Sequence, residues 1–267
     1  MQNTIVWLTL ATFLLGLAVY LLSGNKNKLE VKIEQPFPES WQTLLSTKVV
    51  FYSLLNEQDR RLFEKRIQLF IATKNIEGVD TEIDDPIKLM VASSAIIPTF
   101  AFPQYNYPNV KTVLIYPNSF DGHFQTERFE GHEEIILGMV GNRFLEGTVL
   151  LSKSDLVKAY DGLQHKSNVG VHEFVHLLDK EDGEIDGIPE RLMDHRFVGP
   201  WLHQIKNEIK RIEYGKSDIN PYALTNNAEF LAVVSEYFFS NPEKFKGRHP
   251  ELYAFLSGVF NRDTGKV

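Results

Sequence analysis

The hydrophobic residues of the chain recur at helical spacing along much of its length, which predicts a helix-rich fold. Residues 57–73 carry an apolar face of this kind. Asp85-Pro86 is typical of a helix start, a capping residue followed by proline, and predicts a helix to about Ala95. The remaining predicted helices cover residues 154–160, 168–178, 201–214, 227–239 and 250–260.

Three short segments are rich in β-branched residues and predict strands at 110–116, 135–140 and 148–152. The first of them ends at Pro117-Asn118, a typical turn. All three precede the helix predicted at 168–178. The pattern therefore predicts an α+β fold, with one small mixed sheet in a helix-rich domain that spans residues 37–267.

The amino terminus has a different pattern. No charged side chain precedes Lys26, and residues 5–22 are almost wholly apolar. As a helix they would rise roughly 27 Å, close to the hydrocarbon thickness of a bilayer. A cleaved signal peptide is the alternative, but the basic leading residues and the small-residue cleavage site typical of one are missing. We predict one transmembrane anchor at 5–22 and a linker at 23–36.

The charges beside this segment predict its orientation. Lys26, Lys28 and Lys32 follow it directly, and no basic residue precedes it. Because cytoplasmic flanks carry an excess of Lys and Arg, we expect a single-pass membrane protein whose main domain lies in the cytoplasm.

Composition narrows the functional classes. The formal net charge is -7, whereas nucleic-acid binding needs a basic patch, so no nucleic-acid partner is expected. The chain has no cysteine, which excludes disulfides, cysteine nucleophiles and zinc sites with Cys ligands. A metal site in this chain must therefore use His, Asp or Glu.

The segment His172-Glu173-Phe174-Val175-His176 has the spacing of a zinc peptidase motif. Residues four apart share one face of a helix, so both imidazoles could bind one ion. Glu173 would lie beside the ion without binding it, in position to take a proton from an activated water. The motif predicts two metal ligands and a general base. The alternative is a structural helix whose histidines form hydrogen bonds in the core.

A catalytic zinc site normally has three protein ligands, and the residues alone leave the third one open. Asp182 follows the motif closely, but the glycine that such a sharp turn requires is replaced by Asp179. Asp194 or Glu190 lies further along, outside a clear helix. Glu229 lies on an apolar helix together with Glu236, seven residues later on the same face. These two carboxylates suggest a ligand and a partner that orients a histidine ligand.

Several stretches resemble the zinc peptidase family of Mlc titration factor A, which is distantly related to the catalytic domain of anthrax lethal factor. The resemblance covers nearly all of the chain after the linker. The stretches at 171–189 and 220–245 are specific to the family. The stretches are VHEFVHLLDKEDGEIDGIP at 171–189, NPYALTNNAEFLAVVSEYFFSNPEKF at 220–245, TVLIYPNSF at 112–120 and, more weakly, FPESWQTLL at 37–45.

The resemblance implies a zincin-like domain that holds one zinc ion through His172, His176 and Glu229. It also assigns the active-site tyrosine of the family to Tyr222, whose hydroxyl would donate to the oxyanion of the tetrahedral intermediate. Asn227 departs from the family, which often has proline there. The predicted membrane segment is a second departure, and it puts in doubt any transfer of the family's regulatory partner.

Together these features predict a membrane-anchored zinc peptidase of the gluzincin type that hydrolyses peptides or proteins. An edge of strand 113–116 or 148–152 is expected to receive the extended substrate. The alternative function is a binding module that keeps the zinc fold and sequesters a regulatory protein, such as a transcriptional regulator. The presence of Glu173 favours the enzyme, because binding alone needs no general base.

Overall fold

The computed structural model describes residues 35–119, 138–140, 146–162, 167–190, 192–193 and 195–260. The predicted membrane anchor at 5–22 lies outside these residues, as does the predicted linker up to residue 34. Within the described ranges, no helix has both the length and the apolar character needed to span a membrane. The described residues belong to one unit, Gln35–Val267, which combines many helices with one small mixed sheet.

Several of the helices begin at a residue whose side chain caps the first turn. Asn56 accepts a hydrogen bond from the backbone N–H of Asp59, and Asp84 accepts one from Ile87 just before a proline at the first helical positions. The α-helices in the described ranges are α1 (Glu39–Lys48), α2 (Val50–Ser53), α3 (Glu57–Thr73), α4 (Asp85–Ile96), α5 (Lys153–Ala159), α6 (Val169–Asp179), α7 (Val198–Glu213), α8 (Asn227–Ser240), α9 (Pro242–Arg248) and α10 (Pro250–Phe260).

The helices predicted from the sequence are confirmed, and α3 and α10 have the predicted bounds. The sequence pattern did not reveal α1, α2 and α9. The apolar face of α1 is short, with Leu45 buried and Trp41 and Leu44 partly buried against the core. Short helices of this kind are held by the neighbours that they pack against, which a local pattern does not record.

One sheet of four strands lies before α6 in the chain. The strands are β1 (Asn75–Gly78), β2 (Thr112–Tyr116), β3 (Gly138–Val140) and β4 (Thr148–Ser152). Their order across the sheet is β1-β2-β4-β3, with β1, β2 and β4 parallel and β3 antiparallel to β4. The predicted small mixed sheet is therefore present.

The prediction that β2 or β4 would offer a free edge is wrong. In this sheet β2 lies between β1 and β4, and β4 lies between β2 and β3. The error arose because β1 is short and largely exposed, so its sequence does not resemble a buried strand. Within the described residues, the two ends of the sheet are β1 and β3.

The aromatic side chain of Phe174 fixes α6 in the core. Phe174 is fully buried, and its ring centroid lies 5.8 Å from that of Phe70 and 4.9 Å from that of Tyr107. Around this contact α6 packs against α4, α8, β3 and β4. The apolar faces of α6 are thereby enclosed, and its two histidines point toward α8.

Candidate metal centre

The start of α6 is fixed by two side chains. Asn168 accepts a hydrogen bond from the backbone N–H of Val171, at 3.0 Å. The carboxylate of Glu236 on α8 accepts from the backbone N–H of Asn168 at 2.5 Å and from the hydroxyl of Ser167 at 2.8 Å. The first turn of the motif helix is therefore tied directly to α8.

The start of α8 is fixed in a similar way. Asn226 accepts from the backbone N–H of Glu229 at 2.9 Å, which places Glu229 in the first helical turn. Gly187, in the loop after α6, has φ +80°, and a Cβ there would come within 2.3 Å of the Asn227 carbonyl oxygen. Only glycine permits this approach, so the loop lies against the start of α8.

His172, His176 and Glu229 converge on one point. The Nε2 atom of His172 lies 2.9 Å from Oε2 of Glu229 and 3.1 Å from Nε2 of His176. The third distance, from His176 Nε2 to Glu229 Oε2, is 3.5 Å. Among the described residues, these three form the group whose donor atoms are close enough together to hold a metal ion.

These distances fit a tetrahedral metal ion. Donors bound tetrahedrally at 2.0–2.1 Å lie about 3.3 Å apart, within the range of the three separations. Carboxylates only accept hydrogen bonds, so Nδ1 of His172 donates to Glu236, and once Nε2 has lost its proton the neutral ring carries a lone pair there. That lone pair faces a carboxylate oxygen and a second imidazole nitrogen, an arrangement that a cation stabilises.

Glu236 orients the first histidine. Its Oε1 atom lies 2.7 Å from Nδ1 of His172, while its Oε2 atom accepts from the start of α6. Burial lowers the pKa of His172, but the hydrogen bonds to Glu229 and Glu236 outweigh burial and raise this pKa well above the usual range. A proton therefore competes with a metal ion for Nε2 of His172.

Glu173 follows His172 on α6, interacts electrostatically with His172, His176 and Glu229, and is only 5% exposed. Burial raises the pKa of its carboxyl group, while the neighbouring His172 and His176 oppose this shift. A carboxylate with a raised pKa accepts a proton more readily near neutral pH. This environment suits a general base.

Tyr222 lies in a short 3-10 turn, Pro221–Leu224, that contacts α8. Its ring centroid is 6.2 Å from that of His172, and the residue is 48% exposed. The segment before it is fixed at Asp218, which accepts from the hydroxyl of Tyr237 at 2.9 Å and lies 2.8 Å from Nε2 of His249. Tyr222 therefore lies next to His172, in a turn whose preceding segment is held by the contacts of Asp218.

Nearly the whole chain matches one protein family. The model of the family described as glucose-regulated metallo-peptidase M90 matches residues 24–261. The chain belongs to the M90 metallopeptidase family. Relatives named Mlc titration factor A confirm the resemblance seen in the sequence.

Similar proteins align with the M90 chain over most of their length. An uncharacterized protein of Synechocystis sp. is 30% identical over 268 residues, covering 92% of this chain and 93% of that protein. Mlc titration factor A of Cronobacter sakazakii is 27% identical over 237 residues, 85% of this chain and 87% of that protein. The Escherichia fergusonii protein of the same name is 30% identical over 224 residues, with coverages of 80% and 82%.

The other residues considered as a third ligand lie elsewhere in the M90 chain. Asp182 belongs to a 3-10 turn after α6, where it accepts from the backbone N–H of Glu184, and it is not part of the converging group. Glu190 is likewise outside that group. Asp194 lies outside the described residues. Of the candidates that the structure describes, Glu229 alone joins the two histidines.

The sequence did not reveal the role of Gly138 on β3. It also did not reveal that Asp179, at the end of α6, holds the loop that follows. A Cβ at Gly138 would lie 2.7 Å from Cγ and 2.7 Å from Oε1 of Glu173. Asp179 is fully buried and accepts from the backbone N–H of Gly187 at 2.8 Å, which holds the loop that reaches α8. A glycine inside a strand signals a close approach, but the sequence does not show what approaches it.

Proposed function

We propose that this M90 metallopeptidase is a zinc enzyme of the gluzincin type that hydrolyses peptide bonds in peptides or proteins. The observation that carries the proposal is the convergence of His172 Nε2, His176 Nε2 and Glu229 Oε2 within 3.5 Å. Two imidazoles and one carboxylate form a set that zinc prefers at catalytic sites, where one position stays open for water or substrate.

Glu173 is the general base in this proposal. A zinc ion held by the three residues would polarise the substrate carbonyl and lower the pKa of a water molecule. Glu173 accepts the proton of the attacking water and later passes it to the nitrogen of the leaving amine. Its burial next to the histidines keeps the carboxylate close to the cluster and away from bulk water.

Tyr222 is the proposed donor to the developing oxyanion. Its ring centroid lies 6.2 Å from that of His172, and its exposed position leaves it accessible to a bound peptide. A phenol hydroxyl that donates to the negative oxygen in the transition state typically lowers the barrier by several kcal/mol.

Strand β3 is the proposed docking edge for the substrate. Within the described residues it pairs with β4 on one side, and it contacts α6 beside Glu173. An extended peptide that adds to this edge would run past the general base. This assignment replaces the expectation that β2 or β4 would receive the substrate.

The segment at 5–22 is the proposed membrane anchor, with the peptidase domain on the cytoplasmic side. The support comes from the sequence alone, namely the uncharged apolar stretch and the lysines that follow it. An anchored domain would act on substrates at or near the membrane surface.

The peptidase proposal is tested with an unbiased peptide library and detection of new termini by mass spectrometry. We expect cleavage by the zinc-loaded protein, loss of cleavage after chelation, and recovery when zinc is restored. A protein that binds one zinc ion per chain and cleaves no member of the library, nor any unfolded protein, would contradict the proposal.

A further inference from the structure

The side chain of Glu173 packs against a residue without a side chain. Gly138 is the first residue of β3, and a Cβ there would lie 2.7 Å from both Cγ and Oε1 of Glu173 and 2.9 Å from Cγ2 of Val169. A Cβ atom does not approach a non-bonded heavy atom this closely in folded proteins. The position of the carboxylate therefore depends on the missing methyl group at residue 138.

The backbone at Gly138 gives no other reason for glycine. Among the described residues, left-handed φ angles occur at Gly147, Gly183, Gly187 and Gly215 and not at Gly138. It occupies a regular antiparallel position opposite Leu151, which L-residues adopt freely. Glycine also weakens a strand relative to residues with side chains. What glycine supplies here is space, and Glu173 and Val169 use that space.

We propose that Gly138 is a positioning residue for the general base. This inference rests on the proposed function. The flat surface of β3 at residue 138 lets the Glu173 carboxylate lie close to the strand, next to the three converging ligand atoms. Any side chain at 138 pushes the carboxylate away from the position from which it takes the proton of the attacking water.

The kinetic test compares Gly138→Ala with Gly199→Ala, a matched control on α7 where an added Cβ meets nothing within 4 Å. For Gly138→Ala we expect kcat to fall about 100-fold, the usual loss when a catalytic group moves by about 1 Å. The zinc content should stay within about twofold, because the atoms nearest to the added Cβ belong to Glu173 and Val169 and to none of the three ligands. The diagnostic parameter is kcat, since KM also reports on substrate docking at β3. The Gly199 variant should keep wild-type kinetics. An unchanged kcat, or a raised KM alone, would overturn the inference.

A second test needs no catalysis. Thermal unfolding is measured for the zinc-free wild type, Gly138→Ala, Glu173→Ala and the double variant. The new methyl group strikes mainly Glu173, so we expect the melting temperature to fall by several degrees in the wild-type background. With Glu173→Ala the fall should be less than half as large, the remainder being due to Val169.

The two tests separate this inference from the proposed function. If no variant cleaves peptides, the peptidase proposal fails, while the unfolding cycle still reports whether Gly138 and Glu173 are coupled. Equal losses of melting temperature in both backgrounds would show that the contact does not exist, and the inference would be wrong even if the protein is a peptidase.

Discussion

Glu229 is the residue whose role depends most on the fold, because it lies far from the two histidines in the sequence. Its carboxylate lies 2.9 Å from Nε2 of His172, in a helix that Asn226 caps and that Glu236 ties to the start of α6. Asp182 is much closer in sequence to His176, yet it lies in a turn outside the group.

This difference between the two acidic residues leads to a direct prediction. Glu229→Ala removes one of three proposed ligands, so its zinc affinity should fall by more than about 100-fold, beyond the usual effect of losing an outer hydrogen-bond partner. Asp182→Ala should keep one zinc ion per chain. Zinc per chain is measured by elemental analysis after dialysis. Undiminished zinc in the Glu229 variant would contradict the assignment.

Asp179 predicts a pH effect at the residue scale. Burial raises the pKa of its carboxyl group from 3.8 to about 6. Between pH 4 and pH 6 the folded protein keeps a proton that the unfolded chain has released, so this residue makes folding less stable as the pH rises through that window. Asp179→Asn removes the effect and keeps an oxygen for the N–H of Gly187.

The prediction for Asp179→Asn concerns its difference from the wild type. In the zinc-free protein, the unfolding free energy of the variant minus that of the wild type should increase by on the order of 2 kcal/mol from pH 4 to pH 6. Above pH 6 this difference should change little. Urea unfolding at several pH values measures this difference. A difference that is constant from pH 4 to pH 7 would contradict the raised pKa.

At the scale of elements, local pattern and long-range pairing differ in how well the sequence reveals them. Helices such as α3 and α8 were predictable because the apolar periodicity of α3, the long apolar run of α8 and the asparagine cap of each act within one segment. The order of the strands was not, because β2 obtains its two parallel neighbours from segments distant in sequence. The wrongly predicted edge follows from this limit, since an edge is a property of the whole sheet.

In the candidate site, too, local features were visible in the sequence and long-range contacts were not. The spacing of His172 and His176 on one helical turn is a local feature that predicts two ligands. The pairing of Glu229 with Glu236 on α8 is also local, but spacing left the third ligand open and the family resemblance assigned it to Glu229. The contact of Gly138 with Glu173 joins a strand to a helix across the fold. No spacing rule connects these two residues, and only the packing of β3 against α6 brings them together.

At the scale of the whole molecule, the predicted anchor at 5–22 yields a test of location. The full chain should sediment with membranes and remain there after carbonate extraction, because burial of about 18 apolar residues in a bilayer is effectively irreversible. A variant that lacks residues 5–22 should stay in the supernatant and keep its zinc. Full release of the intact chain by carbonate would contradict the anchor.

The central claim is that Glu173 makes the metal centre of α6 and α8 a peptidase and not merely a binding site. Glu173→Gln tests it most directly, since glutamine keeps the size of the side chain but does not accept the proton. The measurement is kcat/KM for a peptide cleaved by the wild type, at equal zinc content. We predict a fall of about 100-fold to 10,000-fold with one zinc ion retained per chain. Cleavage at the wild-type rate by the zinc-loaded variant would contradict the account.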